Sequence, residues 1–159
     1  MFSDIVLIAA TVLTGLVSGV FALYAHTIMP GLKKTDDRTF VGAFQALDRA
    51  IINPWFMVTF LGPVFLIGVA GVMHLGSDER ARLGWLIAAF VLYLLTVILT
   101  IAVNVPMNDA LKAAGDPAQI DVAKARADFN EAKWVAWNHV RTVASSVAFV
   151  ILTGVLLAA

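Results

Sequence analysis

The chain has 159 residues, 60% of them hydrophobic, with a mean hydropathy of +0.88. Soluble domains run nearer 45–50% apolar, so the excess points to one membrane domain over residues 1–159. Formal net charge is zero with only 14% charged residues, which excludes the basic surface that nucleic acid requires, and the absence of cysteine excludes disulfides, thiolate catalysis and Cys-based metal sites.

Four runs are long enough to cross ~30 Å of hydrocarbon at roughly 20 residues each. They cover residues 5–29, 55–75, 83–105 and 134–157. Backbone polar groups in lipid must be satisfied within the segment, so the spans are helices. The expected fold is all-α: an integral membrane four-transmembrane-helix bundle, with a short interfacial amphipathic helix between helices 1 and 2 and a long last helix. Asp4 precedes the first run, with no Lys or Arg before it and no Ala-x-Ala-like site after it, which reads as a retained span.

In the first span Gly15, Gly19, Ala22 and His26 recur at helical spacing, with Thr11 one turn earlier. Small residues let a neighbouring helix approach closely, so this stripe is expected to face the bundle and to point His26 inward, where Pro30-Gly31 ends the helix. His26 there either hydrogen-bonds a carbonyl or serves in ligation or proton transfer.

Thr35-Asp36-Asp37 then opens the amphipathic helix, with acids in the first turn where the helix dipole favours them. Phe40, Phe44, Leu47 and Ile51 fall on one side at helical period. Gln45 and Asp48 share a second face, either as a solvated pair or with Asp48 as the partner of Arg141. Asn53-Pro54 restarts the chain into the second span.

His74 closes that span, and the short connection after it makes the third span an antiparallel neighbour. His74 lies at the opposite side of the membrane from His26 and His139, so the three cannot form a tris-His centre and no metal site is expected. Along the third span Tyr93, Thr96, Thr100 and Asn104 form a stripe that ends in Asn104-Val-Pro-Met-Asn108. Pro106 has no N–H and crowds the carbonyl of Ala102. The segment is either a helix stop with side-chain capping or a wall of donors and acceptors facing a ligand.

Gly115-Asp116-Pro117 breaks the chain again. Asp116 as N-cap, Pro117 at the first helical position and Gln119 three after the cap predict a helix running from there to near Leu157. At 1.5 Å per residue it would be roughly 60 Å long, so its first third projects into water or kinks against the interfacial helix. Trp134, Asn138, Arg141 and Ser145 share one face of it, with Trp137 flanking. Residues 144–159 carry no charged side chain. Arg141 thus stands within about a turn of hydrocarbon, where ionisable groups are usually paired and often functional.

Lys33, Lys34, Arg38 and Arg49 lie between the first two spans, and Lys112, Lys124, Arg126 and Lys133 before the last; the second loop holds only Arg80 and Arg82. The positive-inside bias makes both basic connections cytoplasmic and both termini external. His26, Gln45, Asp48, Asn53, Asn104, Asn108, Trp137, Asn138, His139 and Arg141 then gather near the cytoplasmic face. A pocket is expected there, between the bundle and the interfacial helix.

Tyr24-Ala-His-Thr-Ile-Met-Pro30, Phe44-Gln-Ala-Leu-Asp-Arg49 with Asn53-Pro-Trp-Phe56, Asn104-Val-Pro-Met-Asn108 and Trp134-Val-Ala-Trp-Asn-His-Val-Arg-Thr142 together resemble the anthrone oxygenase-like family of small four-helix membrane proteins. The likeness runs over essentially the whole chain, and the last two motifs are the specific ones. It implies a monooxygenase, an oxidoreductase of a bacterial inner membrane that turns anthrones into anthraquinones with dioxygen and without a tightly held metal or flavin. The matching positions are Asn104, Asn108, Trp137, Asn138 and Arg141, with Gln45 and His26.

On that basis Arg141 stabilises an oxyanion, His139 or His26 takes the proton, Asn104, Asn108, Asn138, Gln45 and Asp48 bind the substrate, and Trp137 stacks on its ring. The ligand is a lipophilic anthrone-, phenol- or quinol-like small molecule. No cofactor is expected, with haem between His26 and His139 as the alternative. The competing reading is a non-catalytic membrane subunit, or a lipid- or quinone-binding protein, whose polar cluster locks the helices. The partner is the lipid bilayer, and a homo-oligomer is compatible with the sequence.

Overall fold

The computed structural model describes residues 2–76 and 80–158. Among the described residues all regular structure is helical, and four stretches are long and apolar enough to cross a membrane: Phe2–Leu32, Pro54–Met73, Arg82–Ala113 and Val122–Leu157. The chain is an integral membrane protein. The first stretch is α1 (Phe2–Leu23), a π-helical segment at Tyr24–Ile28, and α2 (Met29–Leu32). α3 (Asp37–Ile51) follows, then α4 (Pro54–Met73) and α5 (Arg80–Leu99). A second π-helical segment, Thr100–Asn104, leads into α6 (Val105–Ala113), and α7 (Val122–Phe129) and α8 (Glu131–Leu157) complete the chain.

α1 packs on α4 and α8, and α5 packs on the same two, closing a four-helix ring. Its core is apolar: Leu7, Ala10 and Val17 of α1 meet Phe60 and Ile67 of α4, Leu86 and Ala89 of α5, and Ala148 and Leu152 of α8. Polar groups inside this half bond at once. Thr11, Thr14 and Ser18 each donate to the carbonyl four residues back, and the Tyr93 hydroxyl donates to the Phe60 carbonyl at 2.7 Å. Gly15 is required by Phe149, whose ring would lie 2.8 Å from an added Cβ. Outward, Val12, Leu16, Val58, Phe65, Val91, Ile98 and Val150 are exposed. Such a belt would drive aggregation in water and is at home in hydrocarbon. Trp55 and Trp85, both largely exposed, stand at the starts of α4 and α5, where interfacial tryptophan is favoured.

A second cluster closes one end. Phe40, Val41 and Phe44 of α3 pack with Met29, Leu111, Phe129 and Trp134. α3 starts as expected: Asp36 accepts from Thr39 N at 3.0 Å and from the Thr39 hydroxyl at 2.6 Å, and these bonds, the hydroxyl's first, hold its carboxyl below the usual carboxylate range. Its buried face differs from the expected stripe. Gln45 and Asp48 lie inside with Phe40, Val41 and Phe44, while Leu47 is exposed and Ile51 half-buried. Arg126 of α7 clasps the entry to α3, donating to Asp37 at 3.0 Å, the Thr35 carbonyl at 3.0 Å and Glu131 at 3.2 Å, with Phe40 4.2 Å beneath.

Three boundaries read from proline and glycine fall elsewhere. Pro30 does not end the first helix, nor Pro106 the third. Each stands six residues after the start of a π-helical segment, at Tyr24 and Thr100. The wider turn relieves the clash with the preceding carbonyls, so the helix continues. The third boundary is at Asp116, which opens a turn by accepting from Ala118 N at 2.8 Å, while Asp121 caps α7 through Lys124 N. The long last helix is then broken at Asn130, which adopts the left-handed conformation (φ 52°) that ends α7 while its side chain accepts from Lys133 N to open α8. The kink expected in that helix is this break. The small-residue stripe of α1 is also turned: Thr11, Thr14, Ser18 and Phe21 face in, and Gly19 and His26 face out.

Candidate functional site

Where α3 crosses the end of the bundle, a cavity of ≈ 90 Å³ opens among α1, α3, the second π segment and α8. Phe21, Phe44, Asp48, Trp134, Asn138 and Arg141 are its buried lining, and the more exposed Ile51, Phe56 and Val105 form its outer edge. Tyr24 and Thr100, the first residues of the two π segments, both line it. π segments interrupt the regular ladder and recur at functional sites.

Arg141 is 4% exposed. Its Nη1 donates to Thr100 Oγ1 at 3.1 Å and its Nη2 to Asn138 Oδ1 at 2.8 Å, while Nε is buried without a partner. Asn138 Nδ2 donates to the Phe21 carbonyl at 3.1 Å, which fixes the amide so that its oxygen meets the guanidinium. The rings of Phe21 and Trp134 lie 4.5 and 5.5 Å from the guanidinium carbon. A guanidinium has five N–H donors, so these two bonds leave three unspent. Among the described residues no carboxylate stands within 4 Å of it. Desolvating such an ion costs several kcal/mol. Hydrogen bonds to a charge contribute about 1.5–3 kcal/mol each and cation–π contacts about 0.5–2 kcal/mol. The cation is thus tolerated in the fold without being neutralised.

Asp48 does not pair with Arg141. It also lines the cavity, but its Oδ1 accepts from Asn108 Nδ2 at 2.6 Å and its Oδ2 forms an ion pair with the Lys112 ammonium at 2.6 Å. Lys112, one turn from Asn108 on α6, takes the carboxylate before the arginine can. Asn108 Oδ1 in turn accepts from Trp134 Nε1 at 2.7 Å, and Asn104 Nδ2 donates to the Trp134 carbonyl at 3.3 Å, leaving Asn104 Oδ1 buried and free. Neither asparagine caps a helix; they are the wall of donors and acceptors.

Arg141, Asn138, Asn108 and Asp48 thus line one cavity, with Asn104 immediately behind it. The other expected residues do not reach it. His26 is exposed and meets the Thr27 hydroxyl at 2.6 Å, on the same outward face of the first span as Gly19. His139, also exposed, lines a separate groove with Ala25, Met29 and Lys33, one position off the Asn138 face. Neither histidine can take a proton inside the cavity. Trp137 is half-buried outside the lining, and the lining indole is that of Trp134. Gln45 donates to the Leu111 and Gly115 carbonyls at 2.8 and 3.0 Å, satisfying acceptors at the end of α6.

Phe21, Tyr24, Phe56 and Thr100 complete the lining without having been expected there. Tyr24 and Thr100 share one sequence signal, a proline six positions on. His74 is buried at the far end of α4, its ring Nδ1 2.7 Å from the Ala70 carbonyl. Among the described residues no three metal-binding side chains come together.

The sequence model described as anthrone oxygenase matches residues 55–151, more than half of the chain, including Thr100, Asn104, Asn108, Trp134, Asn138 and Arg141. Neither the curated proteins nor the solved structures give a match.

Proposed function

We propose, from the premise that this chain belongs to the anthrone oxygenase family, that it oxidises a lipophilic anthrone-, phenol- or quinol-like aromatic with dioxygen, holding the substrate as its oxyanion against Arg141. The observation that carries this reading is a buried guanidinium with unspent donors and, among the described residues, no carboxylate within 4 Å, set in the wall of a largely apolar cavity. An anthrone loses a methylene proton to give an enolate, which dioxygen attacks directly. One oxygen atom of dioxygen becomes the ketone oxygen, and the other leaves as water with the two methylene hydrogens. The protein then needs to favour the anion and exclude bulk water, and a preorganised cation in a low-dielectric wall does the first.

At ≈ 90 Å³ the cavity is smaller than the ~150 Å³ space that accepts benzene in an engineered core. A tricyclic ligand therefore lies along Ile51, Phe56 and Val105 and turns its carbonyl edge toward Arg141. The basic connections at this end favour a cytoplasmic side for the pocket.

The test is oxygen uptake by the purified protein with anthrone. Arg141→Leu is expected to remain folded and to lose activity by roughly 10²–10³-fold, the scale of one lost oxyanion donor; full activity would exclude the reading. A non-catalytic role in binding a lipid or quinone is favoured by one fact: the Trp134–Asn108–Asp48–Lys112 chain ties α8 to α6 and α3 without any ligand. Absence of uptake in the wild type, together with loss of fold in Arg141→Leu, selects it.

A further inference from the structure

We propose that Asp48 is the proton acceptor of this site and that Lys112 and Asp109 return its proton to solvent; the assignment rests on the oxygenase reading above. Deprotonating the substrate requires a base inside the cavity, and both histidines lie outside it. Asp48 is the one carboxylate among the lining residues, and it is 8% exposed. Asn108 fixes one of its oxygens and Lys112 meets the other. Lys112 is at the same time 2.9 Å from Asp109. Side-chain exposure rises along this series from 9% at Asp48 to 21% at Lys112 and 61% at Asp109, so three contacting ionisable groups lead from the cavity to water.

The chemistry balances. The substrate C–H or O–H bond breaks, its electron pair stays on the substrate and spreads to the oxygen beside Arg141, and a new O–H bond forms on Asp48. The negative charge moves from Asp48 to the substrate, toward the cation that lacks a counter-ion. Lys112 then passes one of its protons to Asp109 or water and takes the Asp48 proton in its place, restoring the carboxylate. Dioxygen is the oxidant of the step that follows. The groups around Asp48 are Lys112 and Asp109 of α6, Arg141 of α8, Tyr24 of the first span, and Arg49 on α3 itself, which bonds to Gln45.

The experiment uses the full chain in lipid nanodiscs with anthrone as the probe. Without oxygen, the wild type is expected to produce the absorption band of the anthrone enolate at neutral pH. Asp48→Asn should bind anthrone without the band, which returns only at alkaline pH, where free anthrone ionises. In air its kcat should fall about 10²–10³-fold at neutral pH, within the range for a lost general base, with little change in KM. That deficit should close as the pH rises. Lys112→Met keeps the base and should retain the first, stoichiometric enolate band while slowing steady turnover, which guards against a fold defect in Asp48→Asn. An Asp48→Asn protein with a neutral-pH band and full kcat, or with one fixed deficit at every pH, overturns the Asp48 assignment and leaves the oxygenase reading standing. A wild type that neither ionises nor oxidises anthrone overturns both.

Discussion

The two halves of the bundle handle polar groups in opposite ways. In the apolar half, bounded by Leu7, Ile67, Leu86 and Leu152, every buried hydroxyl is spent on a carbonyl of its own helix or a near neighbour, and no charge enters. At the α3 end, buried polar side chains reach across helices instead. Asn108 joins α6 to α3 and α8, Asn138 joins α8 to α1, and Arg141 joins α8 to the second π segment. The first half holds the fold with packing alone. The second carries a cation and two unpaired polar atoms in a folded protein, which a core built for packing alone does not.

The contrast breaks most visibly at Asn138. Asn138→Leu removes the best-placed acceptor of Arg141 and the donor to Phe21, so stability should drop by about 2–4 kcal/mol, the scale of stripping a buried charge of its partner, with activity lost. Adding Arg141→Leu should recover much of that stability in thermal unfolding and none of the oxygen uptake. If the double variant is the less stable of the two, the cation is not the liability described here.

In the apolar half, Gly15→Val should do the reverse. Forcing Phe149 aside costs about 1–3 kcal/mol of overpacking, seen as earlier unfolding, while KM for anthrone stays unchanged. A smaller effect is expected from Trp134→Phe, which deletes the donor to Asn108 and keeps the ring; about 1 kcal/mol is lost, with a measurable rise in KM. The smallest belongs to Asp36→Ala, at the exposed start of α3 away from the cavity. The Asp36 carboxyl is lowered in the folded state, so its stabilisation is present above the unfolded value and fades as pH falls through the folded one. The melting-temperature difference between wild type and Asp36→Ala should therefore be small at neutral pH and vanish in acid.

The spans were legible because length and hydropathy leave few other arrangements in lipid, and the α3 cap because Asp36 precedes its helix in the ordinary way. The face carrying Asn138 and Arg141 was legible because a regular helix preserves spacing. His26 was misplaced because the small residues were read as the inward face, whereas the inward face of α1 runs through Thr14, Val17 and Phe21 and leaves Gly19 and His26 outside. Asp48 could be placed near the site but not paired, since two cations competed for it and only the register of α6 decides that Lys112 wins. The start signal at Asp116 failed because Asp121 and Asn130 carry competing caps that nothing in the local pattern ranks.

The two π segments stand at the same offset from their prolines, and each holds one residue more per turn than the helix around it. They are therefore best probed by shortening the chain. Deleting Ala25 or Ile101 would remove that extra residue and return the stretch to α-helical geometry, with the segments on either side left nearly in phase, because the wider turn is what absorbs the added residue. Tyr24 and Thr100 open the two turns that would close. Such a deletion would reshape the cavity wall at Tyr24 or Thr100, while α2 or α6, and with α6 both Asn108 and Lys112, kept their orientation and the four-helix ring kept its packing. Two single residues thus shape the wall between the half that anchors this protein in the membrane and the half that carries the candidate site.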